Sequence, residues 1–339
     1  MSIRRIAERS GVSVATVSRV LSNSAKVNPD TRRKVLKTLE KENFQPKRAR
    51  RRSLTVGVTI PDLRPGRMDG VYTRELVTGL VEAAAGCDSA VKVINMTDMA
   101  QIPFRRGAFS DFCKEHGVDC LIHLQAPIQF HSMLEAVADD GIAQVVIEHR
   151  FDRPNIGWID VDNYGSSRDM ADYLANLGCR EFAVITADRV FPGHFERHRG
   201  FVEALAARGI EVPPEWDVER RRVLIDAGVS ATLSLLGSRP TMPRVLYYTN
   251  VELAMGGLRA LRSKRIAIPE QLVVAIFDDS HSSRWLPDSV LYLSQPAYEM
   301  GSTAARFLLT CQPGQVLQQM ITPELFISPE ILESLENKG

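Results

Sequence analysis

Arg19 stands on a helical face whose other members, Ala15, Ser18 and Ser22, carry short side chains. Their i, i+3, i+4, i+7 spacing is that of one helix face. A short-chained face can lie deep in a DNA major groove, where one guanidinium pairs both acceptors of a guanine. Val14 and Ala15, at the start of the same helix, suit contact with thymine methyl groups. The opposite face carries Val17, Val20 and Leu21 and must point inward.

The surrounding residues supply the elements that position this face. A first helix is expected over residues 2–10, with Ser2 as its cap and Ile3, Ile6 and Ala7 sharing one side. Gly11 follows it, where a left-handed backbone costs a glycine little. Ser13 is placed to cap the second helix. Asn28-Pro29-Asp30 is a strong start for a third helix, with Val35, Leu36 and Leu39 as its inward stripe. Residues 1–53 hold 15 Lys and Arg against 4 Asp and Glu, while the remainder holds 27 against 37. A basic head on an acidic body is the charge footprint of nucleic-acid binding, hidden in a formal net charge of +1.

The other 286 residues are too many for one simple core, so the body is expected to divide further. Strand-like apolar runs alternate with helical patterns from residue 55 to residue 147, and the series repeats after residue 161. Such alternation reads as parallel α/β, here in two similar halves. No apolar run approaches the ~20 residues that span a bilayer, and charges interrupt the N-terminus too often for a signal peptide. A cytoplasmic protein with no membrane partner is therefore expected. Five scattered cysteines without CxxC spacing point to reduced, buried thiols.

Catalytic patterns are weak. The chain carries no GxxxxGK[ST], GxGxxG or GxSxG sequence. His194 and His198 lie four apart, but a single helical pair is a poor metal site. Asp278-Asp279-Ser280-His281 places triad residue types side by side, whereas catalytic partners normally come from distant segments. Neither an enzyme nor a cofactor is expected. A solute receptor on the same body would need an export signal.

Residues 12–46, VSVATVSRVLSNSAKVNPDTRRKVLKTLEKENFQP, resemble the DNA-binding head of the lactose/galactose-repressor family of bacterial transcription regulators. The likeness continues through the chain at lower strength. It implies a three-helix helix-turn-helix head on a two-lobed body of periplasmic-binding-protein type I, a doubly wound parallel fold. In those terms residues 1–46 are the head and 47–54 a basic, shortened hinge. Residues 55–339 are the effector-binding and dimerisation domain. One lobe takes about 55–160 and 292–322, the other about 161–291 and 323–333. The resemblance assigns base reading to Val14, Ala15 and Arg19, and phosphate contacts to Ser13, Thr16, Ser18 and Asn23. The linker KRARRRSL is shorter than usual for the family, so Arg50 and Arg51 are expected to reach phosphates or the minor groove instead of a full hinge helix.

In the body, Arg197, Asn250 and Asp278 match the family's ligand contacts, and His149-Arg150 stand where Asp-Arg is usual. Val251 replaces the acid that usually follows the asparagine. A usual aromatic stacking residue is missing unless Tyr72 or Trp285 supplies it. Arg64, Arg67 and Arg150 suggest an anionic or strongly polar ligand. The implied function is a homodimeric regulator, a repressor before an activator. It would bind a pseudo-palindromic operator under control of a sugar or sugar-acid type metabolite between the lobes.

Overall fold

In a computed structural model, the chain divides into two units, Met1–Ser53 and Leu54–Gly339. The structure describes residues 3–21, 27–42, 53–61, 70–221, 223–279, 286–287 and 289–336.

The head consists of α1 (Ile3–Ser10), α2 (Val14–Leu21) and α3 (Pro29–Lys41). Ile6, Ala7, Val17, Val20, Val35 and Leu39 make its core. Gly11 has φ +65°, and Val12 N donates to the Ala7 carbonyl, so α1 ends in a left-handed turn. Ser13 Oγ accepts from Thr16 N at 3.1 Å and caps α2. Asn28 Oδ1 caps α3 by accepting from Asp30 N at 2.9 Å. One expectation fails here. Leu36 is 50% exposed, because two neighbouring helices cover only the Val35–Leu39 edge of α3.

The body follows in the order β1 (Thr55–Ile60), α4 (Val71–Gly86), β2 (Ala90–Asn95), α5 (Met96–Met99), α6 (Ala108–His116), β3 (Cys120–Leu124), α7 (His131–Asp139), β4 (Gln144–Ile147) and β5 (Gly157–Val161). A second series begins with α8 (Asn163–Asn176), β6 (Phe182–Ala187), α9 (Pro192–Ala207), β7 (Asp217–Arg220), α10 (Ile225–Gly237) and β8 (Val245–Tyr248). It continues with α11 (Val251–Ser263), β9 (Val273–Asp279), β10 (Val290–Gln295), α12 (Ala297–Thr310), β11 (Gln318–Ile321), β12 (Glu324–Phe326) and α13 (Pro329–Glu336).

The strands form two six-stranded sheets, ordered β11-β5-β4-β3-β1-β2 and β12-β10-β9-β8-β6-β7. Every pairing is parallel except β10 with β12. Central strands such as β3, β4 and β6 are buried along their whole length, which explains their mostly apolar sequences. The chain passes between the lobes three times, after β5, after β10 and after β11. The second passage corrects an expected lobe border. Residues 292–295 belong with lobe two, because β10 pairs β9 through Gln295. Only from α12, which packs on α4, does the chain return to lobe one. The strands β7 and β11 carry too little apolar pattern to be read from sequence.

Close helix pairs surround the sheets. A Cβ on Gly79 of α4 would lie 2.0 Å from the Tyr298 carbonyl oxygen of α12, and one on Gly301 of α12 would lie 2.0 Å from the Leu76 carbonyl. Backbone cannot yield as a side-chain tip can. Gly79→Ala is expected to cost about 1–3 kcal/mol, read as a lower urea midpoint with native far-UV circular dichroism. An unchanged midpoint would contradict this packing. The five cysteines are free thiols. Burial pushes the Cys120 thiol up to about 12, in keeping with an inert structural role.

Candidate functional site: a DNA-reading helix and an inter-lobe cleft

On the head, α2 presents Ser13, Val14, Ala15 and Arg19 to solvent, with Val14 45% exposed. Thr16 is half-buried, and its hydroxyl pairs with that of Ser13 at 2.9 Å. No acidic residue occupies the first turn of α2, so its N-terminus is open to an anion. Ser18 lies within α2, though its side chain is outside the described set. Asn23, Arg50 and Arg51 lie outside the described residues.

In the body, the best-defined cluster centres on Arg197, whose side chain is 3% exposed. The fully buried strand β6 delivers α9, and Arg197 occupies its inward face beside Gly193 and Gly200. Its Nε donates to Asn163 Oδ1 at 2.7 Å. One terminal nitrogen donates to the Thr249 carbonyl at 3.0 Å, and the other to Gln295 Oε1 at 3.1 Å. The guanidinium lies 3.9 Å above the Phe277 ring. Across the cleft, Glu148 Oε1 of lobe one is 3.8 Å from Arg197 Nη2. Arg197 therefore ties lobe two to lobe one and to the first two passages between them, where Asn163 and Gln295 sit.

Lobe one supplies the opposing wall. Gln125 and Glu148, at the ends of β3 and β4, both hold left-handed backbones, with φ +47° and +73°. Such strain in non-glycine residues gathers at functional sites. The Tyr72 hydroxyl donates to Met300 Sδ at 3.9 Å and Thr73 Oγ1 donates to Gln125 Oε1 at 3.1 Å, and the polar groups of Tyr72 and Gln125 favour the ionised form of Glu148. Burial raises the pKa of Glu148, and Arg197 only partly offsets this. Asp160, on β5, accepts from Asn163 Nδ2 at 3.1 Å and from Val161 N at 2.8 Å. Burial, reinforced by the Glu148 charge, lifts its carboxyl to about 7. His194 is held neutral, down at about 3, by burial and by the nearby Arg197 charge. Two further contacts close the lobes: Val71 N donates to Glu252 Oε1 at 3.1 Å, and Ile128 N donates to the Val190 carbonyl at 3.3 Å.

The structure thus brings Tyr72 and Arg197 together but places other expected residues differently. Asn250 caps α11, its Oδ1 accepting from Glu252 N and Leu253 N. His149 stacks on His131 at 4.1 Å and meets Phe151 edge-on. Arg150 is exposed. The Asp278 backbone pairs with Ser294 at the end of β9, while its side chain lies outside the described set, as do Arg64, Arg67 and Trp285. His198 pairs with Asp217 at 2.8 Å, and among the described residues no group of three His, Cys, Asp or Glu is placed to hold a metal. Sequence reading missed Gln125, Glu148, Asp160, Asn163 and Gln295. Each is a polar residue in or just beyond a buried strand, and that oddity was the available signal.

Comparison with known proteins agrees with this geometry. Residues 2–47 match the family described as bacterial regulatory proteins, lacI family, and residues 171–326 match a periplasmic binding protein-like domain. The chain is 25% identical over 338 residues to the HTH-type transcriptional regulator RegA of Clostridium saccharobutylicum, covering 98% of each. Its fold matches the transcriptional regulator CelR–cellobiose complex with a TM-score of 0.67 at 21% identity, covering 96% of this chain and 98% of that one. It also matches the lac repressor dimer bound to operator and the anti-inducer ONPF, with a TM-score of 0.66 at 19% identity, covering 96% and 97%. No helix among the described residues is long and apolar enough to cross a membrane. With a helix-turn-helix head of that family, a two-lobed binding body and relatives that share the whole arrangement, the chain belongs to the lacI family of DNA-binding bacterial transcription regulators.

Proposed function

We propose that the protein is a homodimeric repressor whose two heads read a pseudo-palindromic operator. A small hydroxylated metabolite in the inter-lobe cleft sets the spacing of the heads. The observation that carries this reading is the Arg197 network, which joins both lobes and two of their three connections. A ligand that rearranges this network changes the lobe angle, and so couples cleft to DNA. Cellobiose bound to the related CelR structure supports a sugar-like ligand, and the operator-bound lac repressor dimer supports two-fold assembly. Tyr72, Arg197, Asn250 and Asp278 are the proposed effector contacts, with His149 and Arg150 at the rim of lobe one. The work of the body is binding rather than turnover, as the regulatory relatives suggest. Incubation of candidate sugars with the full chain, followed by product analysis, tests this, and any turnover would contradict it.

On the head, Val14, Ala15 and Arg19 are the proposed base readers, and Ser13, Thr16, Ser18, Asn23, Arg50 and Arg51 the phosphate contacts. Selection from a random DNA pool with the full chain is expected to return a two-fold symmetric site, bound with steep salt dependence. Arg19→Ala should then weaken that site by about 1–3 kcal/mol and relax the preference at one base pair per half-site. Equal loss on every sequence would make Arg19 a phosphate contact, and recovery of no preferred sequence would contradict the reading itself.

A further inference from the structure

Helix α4 of lobe one and helix α11 of lobe two both begin at the cleft, and their amino ends meet there. The two ends are capped differently. Within lobe two, Asn250 Oδ1 caps α11 by accepting from Glu252 N at 2.9 Å and Leu253 N at 3.2 Å. Helix α4 has no such cap of its own: Gly70 stands at its N-cap without a side chain, and its first turn holds no acid. First-turn N–H groups find no acceptor inside their own helix. The acceptor for α4 comes from the other lobe, where Glu252 Oε1 takes the hydrogen bond from Val71 N at 3.1 Å. A Cβ on Gly70 would lie 3.0 Å from the same oxygen, so the glycine leaves room for the carboxylate. Glu252 is the second residue of α11 and is half-buried. One carboxylate therefore serves the amino ends of two helices from opposite lobes, each carrying roughly half a positive charge. Val251, where the family usually has its acid, is 2% exposed in the lobe-two core, and the acid one position later reaches lobe one instead.

We infer that Glu252 is a clasp between the lobes, a positioning residue that sets the resting balance between a closed and an open cleft by capping α4 from across it. Its effect on DNA binding rests on the reading of the cleft as the site that controls the heads. Without the carboxylate, two helix ends of like partial charge face each other. With it, each end is attracted to a shared anion, and both attractions persist only while the lobes are together. Opening the cleft hands the Val71 N–H to water and leaves Glu252 to α11 alone. A ligand shifts the lobes only by its differential affinity for the two arrangements, so the strength of the clasp decides how large that difference must be.

Two substitutions in the full chain break the clasp from opposite sides. Glu252→Ala removes the acceptor. Val71→Pro removes the donor and leaves α4 intact, because proline suits the first position of a helix and Gly70, at φ −61° and ψ 139°, already has the backbone that precedes a proline. The reporter is amide hydrogen exchange at Ile128, a second cross-lobe contact, whose N–H donates to the Val190 carbonyl at 3.3 Å. Ile128 opens a short 3₁₀ turn, Ile128–Phe130, so its N–H has no partner within that turn. Each substitution is expected to speed this exchange by about ten-fold, with native far-UV circular dichroism. Glu252→Gln, which keeps an acceptor without the charge, should fall between Glu252→Ala and the parent. The double variant should exchange no faster than the faster single variant, since both break one contact. Should Glu252→Ala fail to fold, Val71→Pro carries the same test. Unchanged exchange in Val71→Pro overturns the clasp: if Glu252→Ala still has an effect, the acid serves α11 alone. Binding to the selected DNA site is then measured for both variants. A several-fold change in the same direction in both ties the clasp to regulation. Faster exchange with unaltered DNA affinity leaves the clasp standing and overturns the coupling of cleft to heads.

Discussion

Arg197→Ala is expected to lower the stability of the body by about 3–5 kcal/mol, because it removes one partner from a buried ionic network. The loss is larger than that of a surface pair for a definite reason. Arg197 holds Asn163 and Gln295, the side chains at two lobe connections, and faces Glu148 in the opposite lobe. Without it Glu148 loses its cation, and Asp160 keeps only the weaker influence of the exposed Arg150. Chemical denaturation of the full chain measures the effect, and the double variant Arg197→Ala/Glu148→Gln separates its parts. If leaving acids without a partner dominates, the double variant should recover a sizeable part of the loss, a coupling readable in a double-mutant cycle. A loss below 1 kcal/mol would mean the network contributes little to holding the lobes.

The second large effect concerns pH. Asp160 titrates at about 7 in the fold, against an ordinary value of 3.8, through burial first and the Glu148 charge second. Between those values the native state holds a proton that the unfolded chain has released. Stability from this group is therefore full below about 4 and is lost as pH rises towards 7. The loss approaches roughly 4 kcal/mol if the whole shift is realised. Glu148, also raised by burial, acts in the same direction, and Arg197 and Arg150 act against it at Asp160. Asp160→Asn should flatten the fall in stability across this window. It gives back some of that gain by altering the hydrogen bonds from Asn163 and Val161. Urea midpoints at several pH values from about 4 to 8 test this. A variant that loses stability with pH as steeply as the parent would show that Asp160 is ionised throughout.

The head was legible because its information is local. Val17, Val20, Val35 and Leu39 follow helical spacing and form its core, and the Gly11, Ser13 and Asn28 signals mark its turns and caps. Leu36 was misread because spacing shows which residues share a face but not how much of it three short helices can cover. The α/β body was legible in its buried strands and illegible at β7 and β11, whose side chains are only partly covered. Its lobe border moved to Gln295 because strand pairing, a long-range property, decides which sheet a strand joins.

The amino-acid sequence by itself determined that a basic helix-turn-helix head precedes an α/β body of two similar halves, because periodicity, capping and charge are carried by neighbouring residues. Only the tertiary structure decided what surrounds Arg197. Gln125, Glu148, Gln295 and the neighbouring pair Asp160 and Asn163 come from four separate places in the chain, and folding gathers them around one guanidinium. Their charge balance depends on burial and on distances of a few ångströms. Neither exists until the two sheets are formed and the chain has passed between them three times.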